Sequence, residues 1–151
     1  MIVDDIVIHN MTSRDIPQVI EIEELSFTAP WSEEAFKNEV CRNICARYQV
    51  AYLNDKIIGY GGMWVIVDEG HITNIAVHPE YRGIGVGKMI MEALIKVAKG
   101  EGVKSMTLEV RRTNLIALNL YKKYGFAIEG LRPRYYADNN EDAFIMWKKD
   151  L

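Results

Sequence analysis

Residues 81–88 read Tyr81-Arg82-Gly83-Ile84-Gly85-Val86-Gly87-Lys88, and the reading of this stretch decides the fold. An apolar run from Ile72 to Val77 precedes it and reads as a strand. An amphipathic pattern follows, with Val86, Ile90, Ala93/Leu94 and Val97 at helical spacing. A glycine-rich turn at a helix start leaves backbone N–H groups pointing outward without partners. Those donors and the positive end of the helix dipole favour an anion, phosphate above all. Two common phosphate turns fail on spacing. A P-loop needs Gly, four residues, then Gly-Lys-Ser/Thr; here Lys88 is followed by Met89, so the hydroxyl for magnesium is missing. A dinucleotide fingerprint needs its third glycine three residues after the second; counted from Gly85, that position is Lys88. What remains is Arg82-x-x-Gly85-x-Gly87 behind His78-Pro79-Glu80-Tyr81. Alone, it is either a pyrophosphate turn or an ordinary glycine-rich strand-to-helix turn.

The flanking sequence orders itself as β-α-α-β-β-β-α-β-α-β-β. Ile6 to His9 is a short strand. Thr12 or Ser13 caps a helix to about Ser26, with Ile16, Val19, Ile20, Ile22 and Leu25 as its buried side and Pro17 tolerated in the first turn. After Pro30-Trp31, Ser32 caps a second helix with Ala35, Phe36 and Val40 inward. Arg47–Leu53 and Lys56–Val67 form a hairpin about Asn54-Asp55, and Asp68-Glu69-Gly70 leads into the strand His71–Val77. The helix after the glycine turn ends at Gly100 and Gly102. From Ser105 to Arg111 the chain alternates, with Met106, Leu108 and Val110 on one face and Thr107, Glu109 and Arg111 on the other. Asn114 caps a short helix to Tyr124 with Gly125 as its stop. Phe126–Glu129 and Ala143–Lys148 form a final strand pair, joined by a long, basic, aromatic loop, Arg132 to Asn140. This order predicts an α/β (α+β) fold: a central mixed, mostly antiparallel sheet flanked by helices on both faces.

Composition narrows the function. With 151 residues and 49% hydrophobic side chains, the chain can build one substantial core, so residues 1–151 are read as a single domain. A net charge of −3 with no Lys/Arg block argues against direct nucleic-acid binding. No 18-residue apolar run is present and Met1 to Asn10 carries no basic residue, so neither a membrane partner nor a signal peptide is expected, and a cytoplasmic protein is the simplest expectation. Cys41 and Cys45 lie four apart without histidine neighbours, and His9, His71 and His78 show no ligand spacing, so no metal is expected.

Several further segments join the glycine turn: Ala29-Pro30-Trp31-Ser32, Asn74-Ile75-Ala76-Val77, Leu108-Glu109-Val110-Arg111, Asn114, Ala117-Leu118-x-Leu120-Tyr121, Tyr124-Gly125-Phe126, and Arg134-Tyr135-Tyr136 followed by Glu141-Asp142-Ala143. In this order and spacing the chain resembles the GNAT superfamily of acyl-CoA-dependent N-acyltransferases over nearly its whole length. Within that superfamily it is most similar to bacterial ribosomal-protein alanine N-acetyltransferases of the RimI type. The resemblance implies acetyl-CoA as the acetyl donor. The turn at Arg82, Gly83, Gly85, Val86, Gly87 and Lys88 would anchor its pyrophosphate. Ile75, Ala76 and Val77 would bond its pantetheine arm as an added strand does, with the Val77 N–H facing the thioester carbonyl. Asn114 and Ala117 would complete the arm's surroundings.

Acetyl transfer from a thioester to an amine needs a neutral amine, a donor for the oxyanion and a proton for the departing thiolate. Glu109 is the candidate base, working through a water. It sits in an otherwise apolar strand, where partial desolvation would raise a carboxyl pKa; a strand Glu there can equally be the ion-pair partner of Arg111 or another base. Tyr121 is the candidate acid, since Asn114, Ala117 and Tyr121 share one helix face; it can also be a core tyrosine beside Leu120 and Tyr124.

A protein α-amine has a reference pKa of ~8 against ~10.4 for lysine, so neutralising it costs about 3 kcal/mol less. The resemblance brings Phe27, Trp31, Arg134, Tyr135 and Tyr136, with Arg132 beside them, to the acceptor side, where the aromatics can form a wall around a thin extended peptide or simply pack an edge. The reading is direct attack in a ternary complex, because no cysteine sits in the motifs to carry the acyl group. The implied acceptor is the N-terminal alanine of the eighteenth small-subunit ribosomal protein. The rivals are a GNAT acting on lysine, a polyamine or an antibiotic, and a CoA-binding regulatory module without catalysis. Oligomeric state is not readable from the sequence.

Overall fold

The computed structural model describes residues 2–151 and shows seven strands and four α-helices in the expected order. They are β1 (Ile6–Asn10), α1 (Ile16–Ser26), α2 (Glu33–Cys41), β2 (Ala46–Leu53), β3 (Lys56–Ile66), β4 (Glu69–Val77), α3 (Val86–Gly100), β5 (Ser105–Arg111), α4 (Leu115–Lys123), β6 (Ala127–Tyr136) and β7 (Glu141–Lys148). The strands form one sheet in the order β1-β2-β3-β4-β5-β7-β6. Neighbours pair antiparallel except β4 and β5, which run parallel across the α3 crossover.

Each face of the sheet buries its own core. On one, Val86, Ile90, Met91, Leu94, Ile95 and Ala98 of α3 and Leu118 and Tyr121 of α4 pack against Ile58, Met63, Met106, Leu108, Val110 and Met146. On the other, Ile16, Val19 and Ile22 of α1 and Phe36 of α2 pack against Tyr48, Val50, Tyr60 and Ala76. The α1 stripe differs from its expected composition. Leu25 is 53% exposed, and Glu23, at 2%, is buried among the apolar residues. Caps fall where local chemistry puts them: the Ser32 hydroxyl accepts from the Ala35 N–H, and Asn114 Oδ1 from the Ala117 N–H.

The segment expected as a loop from Arg132 to Asn140 is largely strand. β6 continues to Tyr136, with a register shift between Arg132 and Tyr136, and turns over only at residues 137–140. Pro133 disguised this, but β6 is the last strand of the sheet, where a missing N–H costs no ladder bond.

The parallel contact of β4 with β5 is short, running only from Glu69↔Ser105 to His71↔Thr107. Two residues further along β4, its register with β3 shifts: Met63 faces Ile72 and Gly62 faces Asn74, leaving Thr73 as an extra residue. Past this bulge β4 and β5 no longer pair, and the sheet opens.

Gly62 opposite the bulge is a close-packing requirement: a Cβ there would stand 2.2 Å from the Tyr48 ring. The ring is tethered by its hydroxyl, which donates to Glu39 and lies 3.2 Å from Thr73. We therefore expect Gly62→Ala to lower stability by about 1–3 kcal/mol, measured by urea unfolding; an unchanged midpoint would show that Tyr48 moves freely.

Candidate active site

His78 donates its N–H to the Ile58 carbonyl at 2.8 Å, which makes those two a hydrogen-bonded pair. Such pairs alternate along an antiparallel ladder with pairs whose N–H and C=O groups point away. By this count Ile75 and Val77, opposite Gly61 and Gly59, turn their amides away from β3 and toward the side that β5 has left. Ala76, opposite Tyr60, bonds back to β3, and its side chain is buried against the α1 core. Of the three residues expected to offer an open edge, two therefore do. The Val77 carbonyl is already occupied by Arg82 Nε at 3.0 Å, so its free group is the N–H.

The glycine turn starts where this edge ends. Gly83 and Gly85 have φ of 83° and 95°, left-handed values that a side chain resists, and a Cβ at either would meet nothing within 4 Å. The turn is thus open outward. Gly85 is the N-cap of α3 and offers no side-chain acceptor. The first turn bond is that of Met89 N–H to the Gly85 carbonyl, which leaves the N–H groups of Val86, Gly87 and Lys88 without an acceptor among the described residues. The geometry is that of an anion cradle. Arg82 has a bracing role as well as a charge: it ties the turn to Val77 and, at 3.4 Å, to the Ser26 hydroxyl at the end of α1.

The opened sheet admits side chains from both faces. Tyr121 reaches it from the α3/α4 side. Its ring is buried against Phe126, and burial, then the neighbouring Tyr136, pushes its hydroxyl up to about 12. Among the described residues no group bonds that hydroxyl and no buried polar side-chain atom lacks a partner, so the hydroxyl retains some contact with solvent. Glu109 comes from the other face, on β5, 30% exposed and 3.2 Å from Arg132 Nε. A partly exposed, ion-paired carboxylate replaces the desolvated one anticipated, and its cation is Arg132 rather than Arg111.

Arg111 is engaged elsewhere. It bonds Asp138 at 2.9 Å and Glu141 at 3.2 Å, and its guanidinium lies 3.9 Å from the centre of the Tyr136 ring. Asp138 also accepts from the Thr28 hydroxyl at 2.6 Å, which joins the α1–α2 loop to the β6–β7 turn. Hydrogen bonds from the Thr113 hydroxyl and amide, then Arg111, hold the Glu141 carboxyl down at about 2.

The matching family profile is that of the acetyltransferase (GNAT) family, and it covers residues 16–126. The chain belongs to the GNAT acetyltransferase family. It is 42% identical over 140 residues to a Bacillus subtilis (strain 168) protein, provisionally named a ribosomal protein bS18-alanine N-acetyltransferase, with 93% of each chain covered. It is 36% identical over 143 residues to the Escherichia coli (strain K12) ribosomal protein bS18-alanine N-acetyltransferase, covering 92% of this chain and 94% of the relative. The crystal structure of the ribosomal-protein-S18-alanine N-acetyltransferase from Escherichia coli matches with a TM-score of 0.88 at 32% identity, over 96% of this chain and 94% of that one. Ard1 from Thermoplasma volcanium matches with a TM-score of 0.86 at 28% identity, over 97% and 99%.

In this GNAT chain, Tyr136 stands within electrostatic reach of Tyr121, Glu109, Arg111 and Tyr135, which groups the candidate acid, the candidate base and part of the expected acceptor wall around one ring. Trp31 packs on Phe36, Phe27 four residues before Trp31 is 38% exposed, and Thr28 brings their loop to the β6–β7 turn. Arg134 has a left-handed backbone at φ 51°, its N–H donates to Asp142, and its side chain is exposed. Ala117 lines the α4 side with its amide taken by Asn114, whose own side-chain NH₂ makes no bond among the described residues. Arg132 in its pairing role, Arg111, Asp138 and Thr28 were not legible in advance, because their partners lie 23 to 110 residues away.

Gly85→Ala must either hold a left-handed alanine, at about 1–2 kcal/mol, or misalign the cradle; CoA affinity measured by calorimetry should fall about five- to thirtyfold at 1.4 kcal/mol per tenfold, and unchanged affinity would remove the turn from the binding site. The depressed Glu141 carboxyl contributes stability that is present above its ordinary value of 4.5 and is lost as pH falls toward about 2. The Tm of the wild type should therefore exceed that of Glu141→Gln near neutrality and converge on it across that window, whereas a gap that stays constant to pH 2 would mean Glu141 is not held ionised by its partners.

Proposed function

We propose that the chain transfers the acetyl group of acetyl-CoA to a protein N-terminal α-amine, that of the alanine at the start of ribosomal protein bS18, and does so in the cytoplasm. The observation that carries this is the edge of β4 at Ile75 and Val77, left free of β5 and leading into the open glycine turn, with Tyr121 on one face of the sheet and Glu109 on the other. The names of the relatives that cover more than nine-tenths of the chain support the choice of acceptor.

Acetyl-CoA supplies the acetyl group as a thioester. In this reading the cradle at Gly83–Lys88 holds its pyrophosphate, and the outward amides of Ile75 and Val77 align its arm. The Val77 N–H donates to the carbonyl oxygen as negative charge develops there, aimed before the reaction begins. The acceptor enters between the Phe27/Trp31 loop and the Tyr135/Tyr136 end of β6. Glu109 takes the proton lost by the amine through a water, and Arg132 orients its carboxylate. As nitrogen bonds the acetyl carbon and the carbon–sulfur bond breaks, Tyr121 faces the departing sulfur. With its hydroxyl at about 12, against ~8.5 for a free thiol, complete proton transfer is uphill by about 5 kcal/mol. Tyr121 therefore acts as a strong hydrogen-bond donor in the transition state, and the sulfur leaves as thiolate and takes its proton from solvent as the product departs.

The test is mass spectrometry of acetyl-CoA reactions with two peptides. One carries the free N-terminal alanine of bS18; the other is the same peptide with a blocked N-terminus and an internal lysine. Acetylation of the first alone is expected, and acetylation of the second alone overturns the acceptor. Glu109→Gln should lower kcat about 10²–10⁴-fold, and Tyr121→Phe, which removes one transition-state hydrogen-bond donor, about 10²–10³-fold; wild-type rates in both would overturn the mechanism.

A further inference from the structure

The mechanism leaves unused a carboxylate that is more deeply buried than Glu109. Glu23, in the last turn of α1, is 2% exposed and has no cationic partner among the described residues. Burying an anion in this way is unfavourable unless hydrogen bonds saturate it, and an apolar residue would pack the site more simply. Three donors from three parts of the chain converge on it. Glu23 Oε2 accepts the Trp31 N–H at 2.9 Å. Glu23 Oε1 accepts the Tyr60 hydroxyl of β3 and, at 3.4 Å, the Asn74 side-chain NH₂ of β4. Asn74 also donates to the Tyr60 hydroxyl at 2.9 Å. On its other side the Asn74 carbonyl oxygen accepts from the Thr73 hydroxyl at 3.0 Å.

These partners are not scattered. Thr73 and Asn74 form the bulge at which β4 leaves β5, and Val77 lies three residues past Asn74 on the same strand. Trp31 lies in the α1–α2 loop, on the acceptor side of the opening. A single carboxylate thus joins the element that places the oxyanion donor to the element that places the acceptor. A second buried carboxylate, Glu39, ends the same chain of bonds through Tyr48 and Thr73, but its other partners are Asn43 and Trp64, away from the opening.

We infer that Glu23 is a positioning residue for acetyl transfer, clamping the acceptor-side loop at Trp31 to the bulge of β4 at Asn74. The inference rests on the proposed acetyl-transfer site. A carboxylate suits the clamp because it accepts on both oxygens. In Glu23→Gln one oxygen becomes an NH₂, which must face the Trp31 N–H or the Asn74 NH₂, donor against donor. Tyr60→Phe removes one donor and leaves the carboxylate in place.

The clamp is tested on the full chain by hydrogen–deuterium exchange with CoA present, and by kinetics with the bS18 N-terminal peptide. Glu23→Gln should speed exchange in residues 27–32 and 73–78 while α3 stays protected. It should lower kcat about 10–100-fold, the loss expected for misplacement on the order of 1 Å, with CoA affinity kept within about threefold. Tyr60→Phe should act in the same direction more weakly, and the double variant should lose less than the sum of the two. A fall in Tm with unchanged kcat and KM well below it, or faster exchange spread evenly over the chain, would overturn the clamp. A wild type inactive on the peptide would overturn the acceptor reading instead, and the exchange pattern would still decide the role of Glu23.

Discussion

Three residue pairs of parallel ladder, and then none, is the constraint on which the site depends. Had β4 and β5 stayed paired to their ends, the amides of Ile75 and Val77 would be consumed within the sheet. They are left outward because the bulge at Thr73 adds a residue and turns β4 aside. An unpaired strand edge inside a protein calls for a partner, and a ligand with amide groups of its own can supply one. The same separation lets Tyr121 and Glu109 approach from opposite faces. In a closed sheet, residues on opposite faces are kept apart by the backbone between them.

The two sides of the opening are held by bonds of different strength. The link between the α1–α2 loop and the β6–β7 turn passes through Thr28, Asp138 and Arg111, all partly open to water, where such bonds contribute little. The link between that loop and β4 passes through Glu23, shielded from water, where a lost partner is far more damaging. The loop is thus firmly attached at Trp31 and lightly attached at Thr28, only three residues earlier. The β6–β7 turn is therefore the more weakly held side, and the bulge the more firmly held one.

Local chemistry made much of this legible. The alternation from Ser105 to Arg111 assigned every face of β5, because a strand repeats every two residues whatever packs on it. Ser32 and Asn114 marked their helices because a cap satisfies amides two or three residues away. What stayed hidden depended on distant partners. Glu23 occupies a place in the α1 stripe that Leu25 would fill by hydrophobicity, and only Tyr60 and Asn74, 37 and 51 residues later, make a carboxylate tolerable there. Glu109 finds Arg132 rather than Arg111 because Arg111 and Arg132 flank Ala143 of β7 from either side, a register that no short window contains. The continuation of β6 past Pro133 was masked by a residue that is harmless only in the outermost strand.

That outermost strand carries a further consequence. Along β6, Pro133 offers no N–H, Arg134 turns left-handed, and the register slips before Tyr136. Charged side chains at Glu129, Arg132 and Arg134 line the same margin. A passing polypeptide finds no continuous row of donors and acceptors on which to zip. The broken margin thus protects a sheet of seven strands from acquiring an eighth.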